Sequence, residues 1–322
     1  MAKYLSYAMC VADKKLRDKV KIYGSMVPYC KGAHLDDVIA SQELAELIQS
    51  GKPLMAGRMG MFEIAVMRMY EYRREDKYQT LMDSLYNCAG FFPNDTSYIP
   101  RFVELMKDSL REIDVLASNR EPAERRFINK YCSKDIKVSK SLELFDVTRM
   151  EDSSWSAALK GKRVLVVTPF TESVLHQYNN HRSELFAGTD ILPEFASISV
   201  YKSLMTIGDM RDDRFADWFE ALAHMEKEIL AMDFDVAILG CGAYGFPLAA
   251  SIKRAGKQAI HMGGSLQILF GIMGKRWDGS RFGGKMREDV AKYYNDTWTY
   301  PLEERPADAS KVEYGPYWGS AT

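Results

Sequence analysis

Short, fully apolar runs alternate with longer amphipathic stretches through the second half of the chain. Residues 162–168 hold the run Val164-Leu165-Val166-Val167, residues 196–201 suit a strand, and 235–239 and 258–261 add two more runs. Between them the spacing predicts helices over 172–186 and 214–232, one of about ten residues ending at Arg254, and a last one from Ser265 toward Trp277. In the first half Ala40, Leu44, Leu47 and Ile48 share one helical face, Gly51 and Pro53 end that helix, and 53–56 reads as a short buried strand. Gly57 and Gly60 close the strand, and Phe62, Ile64, Ala65, Met67, Met69 and Tyr70 begin a helix that turns charged at residues 73–76. Further helices are expected around 81–88, from Pro100 through Phe102, Leu105, Met106, Leu110 and Ile113, and over 124–131, with short strands at 115–117 and 136–138.

Apolar strands alternating with helices imply a Rossmann-like α/β fold: a mostly parallel sheet, helices on both faces, and a helical N-terminal portion. Residues 1–36 lack clear periodicity and read as an arm or cap, 37–280 as the α/β body with a helical lobe over 78–132, and 281–322 as a tail packed on that body. With 322 residues, 47% of them hydrophobic, the chain can bury a large core in one or two domains. No internal repeat or low-complexity segment interrupts this order.

Charge and cysteine usage narrow the function classes. Lys and Arg number 43 against 44 for Asp and Glu, so no global field exists to hold nucleic acid or an anionic membrane, and any basic site must be local. Cys10, Cys30, Cys88, Cys132 and Cys241 are scattered and never form a CxxC pair, which argues against a disulfide framework or a cysteine zinc site and for a reducing cytoplasm. The N-terminus lacks a signal-peptide pattern, and no window approaches the ~18 apolar residues of a membrane span. HExxH, GxSxG, GxxxxGK[ST] and the zinc-deaminase pattern do not occur.

The sharpest local signal is Gly240-Cys241-Gly242-Ala243-Tyr244-Gly245, a GxGxxG between a predicted strand and a predicted helix. Such a turn brings backbone N–H groups and the positive end of a helix to a phosphate. The same glycines could serve only to pack helix on strand. A dinucleotide site would also place an Asp or Glu at the end of the next strand, where this chain has His261-Met262-Gly263 and its first acid only at Asp278. That disfavours NAD and S-adenosylmethionine. A second strand end carries Arg58-Met59-Gly60-Met61-Phe62-Glu63. An Arg fork suits a diphosphate, and a Glu in the first helical turn can meet a metal, a ribose or an acceptor hydroxyl, or simply complement the helix dipole.

The Arg58-x-Gly60-x-x-Glu63 pattern, the 235–240 strand with its glycine turn, and Gln258-Ala259-Ile260-His261-Met262-Gly263 together resemble the GT-D glycosyltransferases. The resemblance covers roughly residues 37–280. It implies transfer from a nucleoside-diphosphate sugar, a UDP-sugar by preference, to a glycan or lipid-linked acceptor of bacterial surface polysaccharide or glycoprotein, met from the cytoplasmic side. It implies Glu63 as the catalytic residue, and Arg58, Gly60, Gly240, Gly242, Ala243, Tyr244 and Gly245 as the nucleotide and phosphate site. The family's first motif commonly holds an Asp-x-Glu pair bound to Mn or Mg; here Met61 takes the Asp position and Glu63 is the one carboxylate left for a metal.

Secondary candidates complete the reading. Thr168 closes a strand, with Thr171 as an expected N-cap of the next helix. His181 and Arg182 lie in that helix, where a solvated face is the plainer account, and His261 ends an apolar strand, where core packing is. Lys275, Arg276 and Arg281 with Trp277 could fold over a diphosphate and stack on a base or sugar, and the aromatic tail at 311–318 could dock on the body. Cys241 lacks an adjacent His or acid for nucleophilic work. The rival readings are an NAD- or S-adenosylmethionine-dependent enzyme and a non-catalytic nucleotide-binding scaffold.

Overall fold

Strands covered on both faces need apolar side chains at successive positions, since neighbours along a strand point to opposite sides. A computed structural model of the chain describes residues 31–121, 123–150, 153–208, 210–280, 284–305 and 317–318. Here β1 (Ala33–Leu35), β2 (Leu54–Gly57), β3 (Val115–Ala117), β4 (Lys137–Ser139), β5 (Arg163–Thr168), β6 (Ser197–Lys202), β7 (Val236–Leu239) and β8 (Gln258–His261) form one sheet. Its order is β1-β4-β3-β2-β8-β7-β5-β6 and every pairing is parallel. The helices that frame the sheet and its carboxyl edge are α1 (Asp37–Gln49), α2 (Met61–Glu71), α3 (Tyr78–Ala89), α4 (Ile99–Glu112), α5 (Glu124–Tyr131), α6 (Thr171–Leu185), α7 (Trp218–Leu230), α8 (Gly245–Arg254) and the short α9 (Leu266–Leu269); single helical turns also form at Val147–Met150 and Glu288–Ala291.

Alternation along the strands makes two cores. Met55, Leu116, Leu165, Val167 and Leu239 face one with α2, α3, α4, α5, α7 and α8; Leu54, Val115, Val164, Val166 and Ile238 face the other with α1 and α6. This partition is what right-handed crossovers require. The steps β2 to β3, β3 to β4, β6 to β7 and β7 to β8 run toward the β1 edge, and the remaining steps run away from it. Adjacent β5 and β7 therefore send their following helices to opposite faces, which opens a crevice at their carboxyl ends.

Several sequence expectations are corrected in detail. The sheet begins at β1, inside the segment read as an arm; three residues on an edge carry too little apolar pattern to register. Residues 1–30 of that segment lie outside the described residues. The helices between 78 and 132 share the first core with α2, α7 and α8. The helix expected from Ser265 to Trp277 stops at Leu269, because Gly271 takes a left-handed φ of 62° and Ile272 turns away to bridge Thr299. Helix α7 starts at Trp218, four residues later than expected, where Asp217 caps it by accepting from the Glu220 N–H at 2.9 Å. Thr171 is not an N-cap: Phe170 holds that position, and the Thr168 hydroxyl accepts from the Phe170 N–H at 3.3 Å instead. Among the described residues no helix is long and apolar enough to cross a membrane.

Candidate active site

Six parallel strands, β2, β3, β5, β6, β7 and β8, end around one cavity of about 790 Å³. Arg58 follows β2 and lies against Gly263, just past β8; a Cβ on Gly263 would come within 3.0 Å of its Nε. Gly60 is the N-cap of α2, and Glu63 folds back over it so closely that a Cβ there would overlap the carboxylate. The positive end of the α2 dipole thus faces Glu63, which is only 7% exposed. Among the described residues Glu63 is the one carboxylate lining the cavity, and Arg58 and Arg276 are its two arginines.

The turn after β7 does much of its work inside the protein. Gly242 has a φ of 60°, and Cβ atoms on Gly240 and Gly245 would meet the Gly263 carbonyl and the His261 ring. Ala243 and Tyr244 line the cavity but are buried. The Tyr244 hydroxyl shares a 2.8 Å hydrogen bond with Thr206, which donates to the Gly90 carbonyl at 2.6 Å, and the Tyr244 ring stacks on Trp218. Burial pushes the Cys241 thiol up to about 12, so no thiolate is available there. His261 is fully enclosed; burial first, and the charge of Arg58 second, push its pKa down to about 3. It is a neutral ring at physiological pH.

The remaining candidates divide sharply. Thr168 lines the cavity, and so does Arg276, whose guanidinium would lie 3.0 Å from a Cβ on Gly264. His181 sits 3.5 Å from Glu184 and Arg182 3.9 Å from Glu194; neither lines the cavity. The Lys275 N–H donates to the Trp318 carbonyl, and its side chain stays out of the cavity wall. Trp277 is 1% exposed in the second core, so it cannot stack on a ligand. Arg281 and residues 311–316 lie outside the described residues, while Tyr317 and Trp318 do return to the wall, where Trp318 packs edge-on against Phe170.

Ser203, His261, Gln267 and Trp318 each line the cavity and each carry a buried polar atom with no hydrogen-bond partner among the described residues. Buried polar atoms are normally paired, and these four belong to residues gathered around one cavity. A metal fits this wall poorly. Among the described residues no three of His, Cys, Asp and Glu come together, and Met61, exposed at the cavity, offers sulfur where a hard cation needs oxygen.

No family model and no curated protein matches the chain. Solved structures similar to it include a selenomethionine-substituted domain of unknown function 1792, 13% identical over 82% of this chain and 94% of that one, with a TM-score of 0.40. A glycosyltransferase from Streptococcus sanguinis that carries the same domain is 11% identical over 88% of this chain and 98% of its own, with a TM-score of 0.41. A third, described as the same domain with a distinct glycosyltransferase fold, is 13% identical over 87% and 94%, with a TM-score of 0.40.

One site residue escaped the sequence reading. Asn119 follows β3, lines the cavity and donates from Nδ2 to the Met59 carbonyl at 2.7 Å, tying the β2 and β3 loops together. Its loop is set by Glu124, whose buried carboxylate accepts from the Ser118 hydroxyl at 2.7 Å and from the Asn119 and Arg120 N–H groups at 3.1 and 3.0 Å. Burial drives the Glu124 carboxyl up to about 7 against the pull of these three donors. The available signal was positional: a Ser-Asn pair directly after the apolar triplet 115–117 stands at a strand end.

Proposed function

We propose that this chain is a glycosyltransferase acting in the cytoplasm on a nucleoside-diphosphate sugar, a UDP-sugar by preference, and a glycan or lipid-linked acceptor of a bacterial surface polysaccharide or glycoprotein. The observation that carries it is the wall of the carboxyl-edge cavity among the described residues: one carboxylate, Glu63, on a helix start, together with two arginines and two glycine turns. In this reading Arg58 and the Gly240 to Gly245 turn hold the diphosphate. Glu63 takes the proton of the acceptor hydroxyl as its oxygen bonds to the anomeric carbon and the sugar–phosphate bond breaks. Positive charge develops on the sugar and negative charge on the leaving diphosphate, so donors at the phosphate edge supply much of the acceleration. The end of β8 favours this over a dinucleotide, since the place of a ribose-binding acid is taken by His261, buried and neutral.

A thermal-shift screen tests the reading against its rivals. Nucleoside diphosphates and their sugar conjugates should raise Tm by about 2 °C or more near saturation, whereas stabilisation by NAD or S-adenosylmethionine alone would replace it.

A further inference from the structure

The charge balance of the cavity bears on how the leaving diphosphate is neutralised. Mg and Mn are hard cations that take oxygen ligands, usually one or two carboxylates besides phosphate and water. Glu63 is the one carboxylate in the wall among the described residues, and it is turned back over Gly60 at the start of α2. Two positions before it, Met61 presents an exposed thioether, a soft donor with little affinity for such ions.

Two guanidinium groups stand where positive charge is needed. Arg58, extending from the end of β2, lies against Gly263, and Arg276, arriving from beyond α9, lies against Gly264. Both therefore reach the same two-residue segment at the carboxyl end of β8, and both line the cavity. Each is held by packing: the glycines leave no room for a Cβ beneath them, and the Tyr317 ring closes on Gly264 beside Arg276. Tyr317 is itself fastened by the Gln267 side-chain amide, which donates to its carbonyl at 3.1 Å. A planar fork fits phosphate oxygens with two parallel bonds and stays charged at any working pH. A divalent cation beside two such groups would be repelled by both.

The geometry points to a donor site in which Arg58 and Arg276, in place of a divalent cation, neutralise the diphosphate of the nucleotide sugar. This rests on the glycosyltransferase reading, and it assigns Arg276 a role equal to that of Arg58. The arginines would bind the diphosphate in the ground state and meet its growing charge as the sugar departs.

Titration calorimetry of the full chain, in excess EDTA and again in excess manganese, separates this inference from the reading beneath it. The probes are UDP, GDP, CDP, ADP and dTDP, with inorganic pyrophosphate and the matching nucleoside as controls. The expected result is a nucleoside diphosphate whose Kd agrees within about threefold in the two buffers. Arg58→Gln and Arg276→Gln should each weaken that ligand and pyrophosphate about tenfold or more, with the nucleoside little affected. Binding that appears only with manganese overturns the inference and leaves the glycosyltransferase reading standing, as does wild-type affinity in a folded Arg276→Gln chain. Failure of all five diphosphates in both buffers overturns the reading and the inference together.

Discussion

Glu63 and His261 stand in the same cavity with opposite characters. Glu63 rests at a helix start and lines the cavity, so on the proposed reading Glu63→Gln should lower sugar transfer about 100-fold or more while the affinity for the nucleoside diphosphate stays within about threefold. Transfer at the wild-type rate would remove it from the reaction. His261 is a stability residue whose effect shows in pH. Its folded pKa is about 3 against 6.5 in the unfolded chain, so the unfolded state gains a proton first, and stability falls as pH drops from 6.5 toward 3. Between pH 7 and pH 5 this amounts to about 2 kcal/mol. Glu124 works in the opposite sense, since a carboxyl raised from 4.5 to about 7 loses its stabilising proton as pH rises through that range. The two partly cancel in the wild type. Urea unfolding of wild type and His261→Gln at pH 7 and pH 5 isolates the histidine: the difference between the two chains should change by about 2 kcal/mol, and a pH-independent difference would contradict its burial as a neutral ring.

Loop positions around the cavity depend on a few element ends, and Glu124 at the start of α5 is the clearest. Replacing it by Ala strips the acceptor from three donors in the 118–120 loop, so Glu124→Ala should cost about 2–4 kcal/mol in denaturant unfolding, with Glu124→Gln costing less. An unchanged midpoint would mean that the loop is set elsewhere. Sequence alone placed every strand except β1 within about a residue, and α1, α4, α5, α6 and α8 within a residue or two of their ends, because each carries an apolar run or one apolar face. What it missed had local or tertiary causes. The edge strand β1 is three residues long, α9 is cut short by a left-handed glycine, and the start of α7 is fixed by the Asp217 cap. For the cavity, strand ends were legible and helix faces were not. Arg58, Gly60, Glu63 and Thr168, singled out because they stand at the ends of apolar runs, line it, whereas His181 and Arg182 sit toward the far end of α6, and Trp277 turned inward because the helix expected to display it does not continue that far. Asn119 depended on a hydrogen bond to Met59, sixty residues away, which no local pattern encodes.

The whole molecule is a parallel sheet whose crossover directions divide its helices between two faces and so leave one crevice at the carboxyl edge. That single architectural fact gathers residues from 58 to 318 into one cavity, including Tyr317 and Trp318 from the tail. Four of the residues in this wall carry a buried polar atom without a partner among the described residues. A scaffold that only binds nucleotide could share this arrangement, but it would not use Glu63. The most direct measurement is therefore nucleoside-diphosphate release from a panel of nucleotide sugars by the wild-type chain. The account predicts release from at least one donor, faster with a glycan acceptor present and lost in Glu63→Gln; binding of a donor with no release from any of them, with or without acceptor, would contradict it.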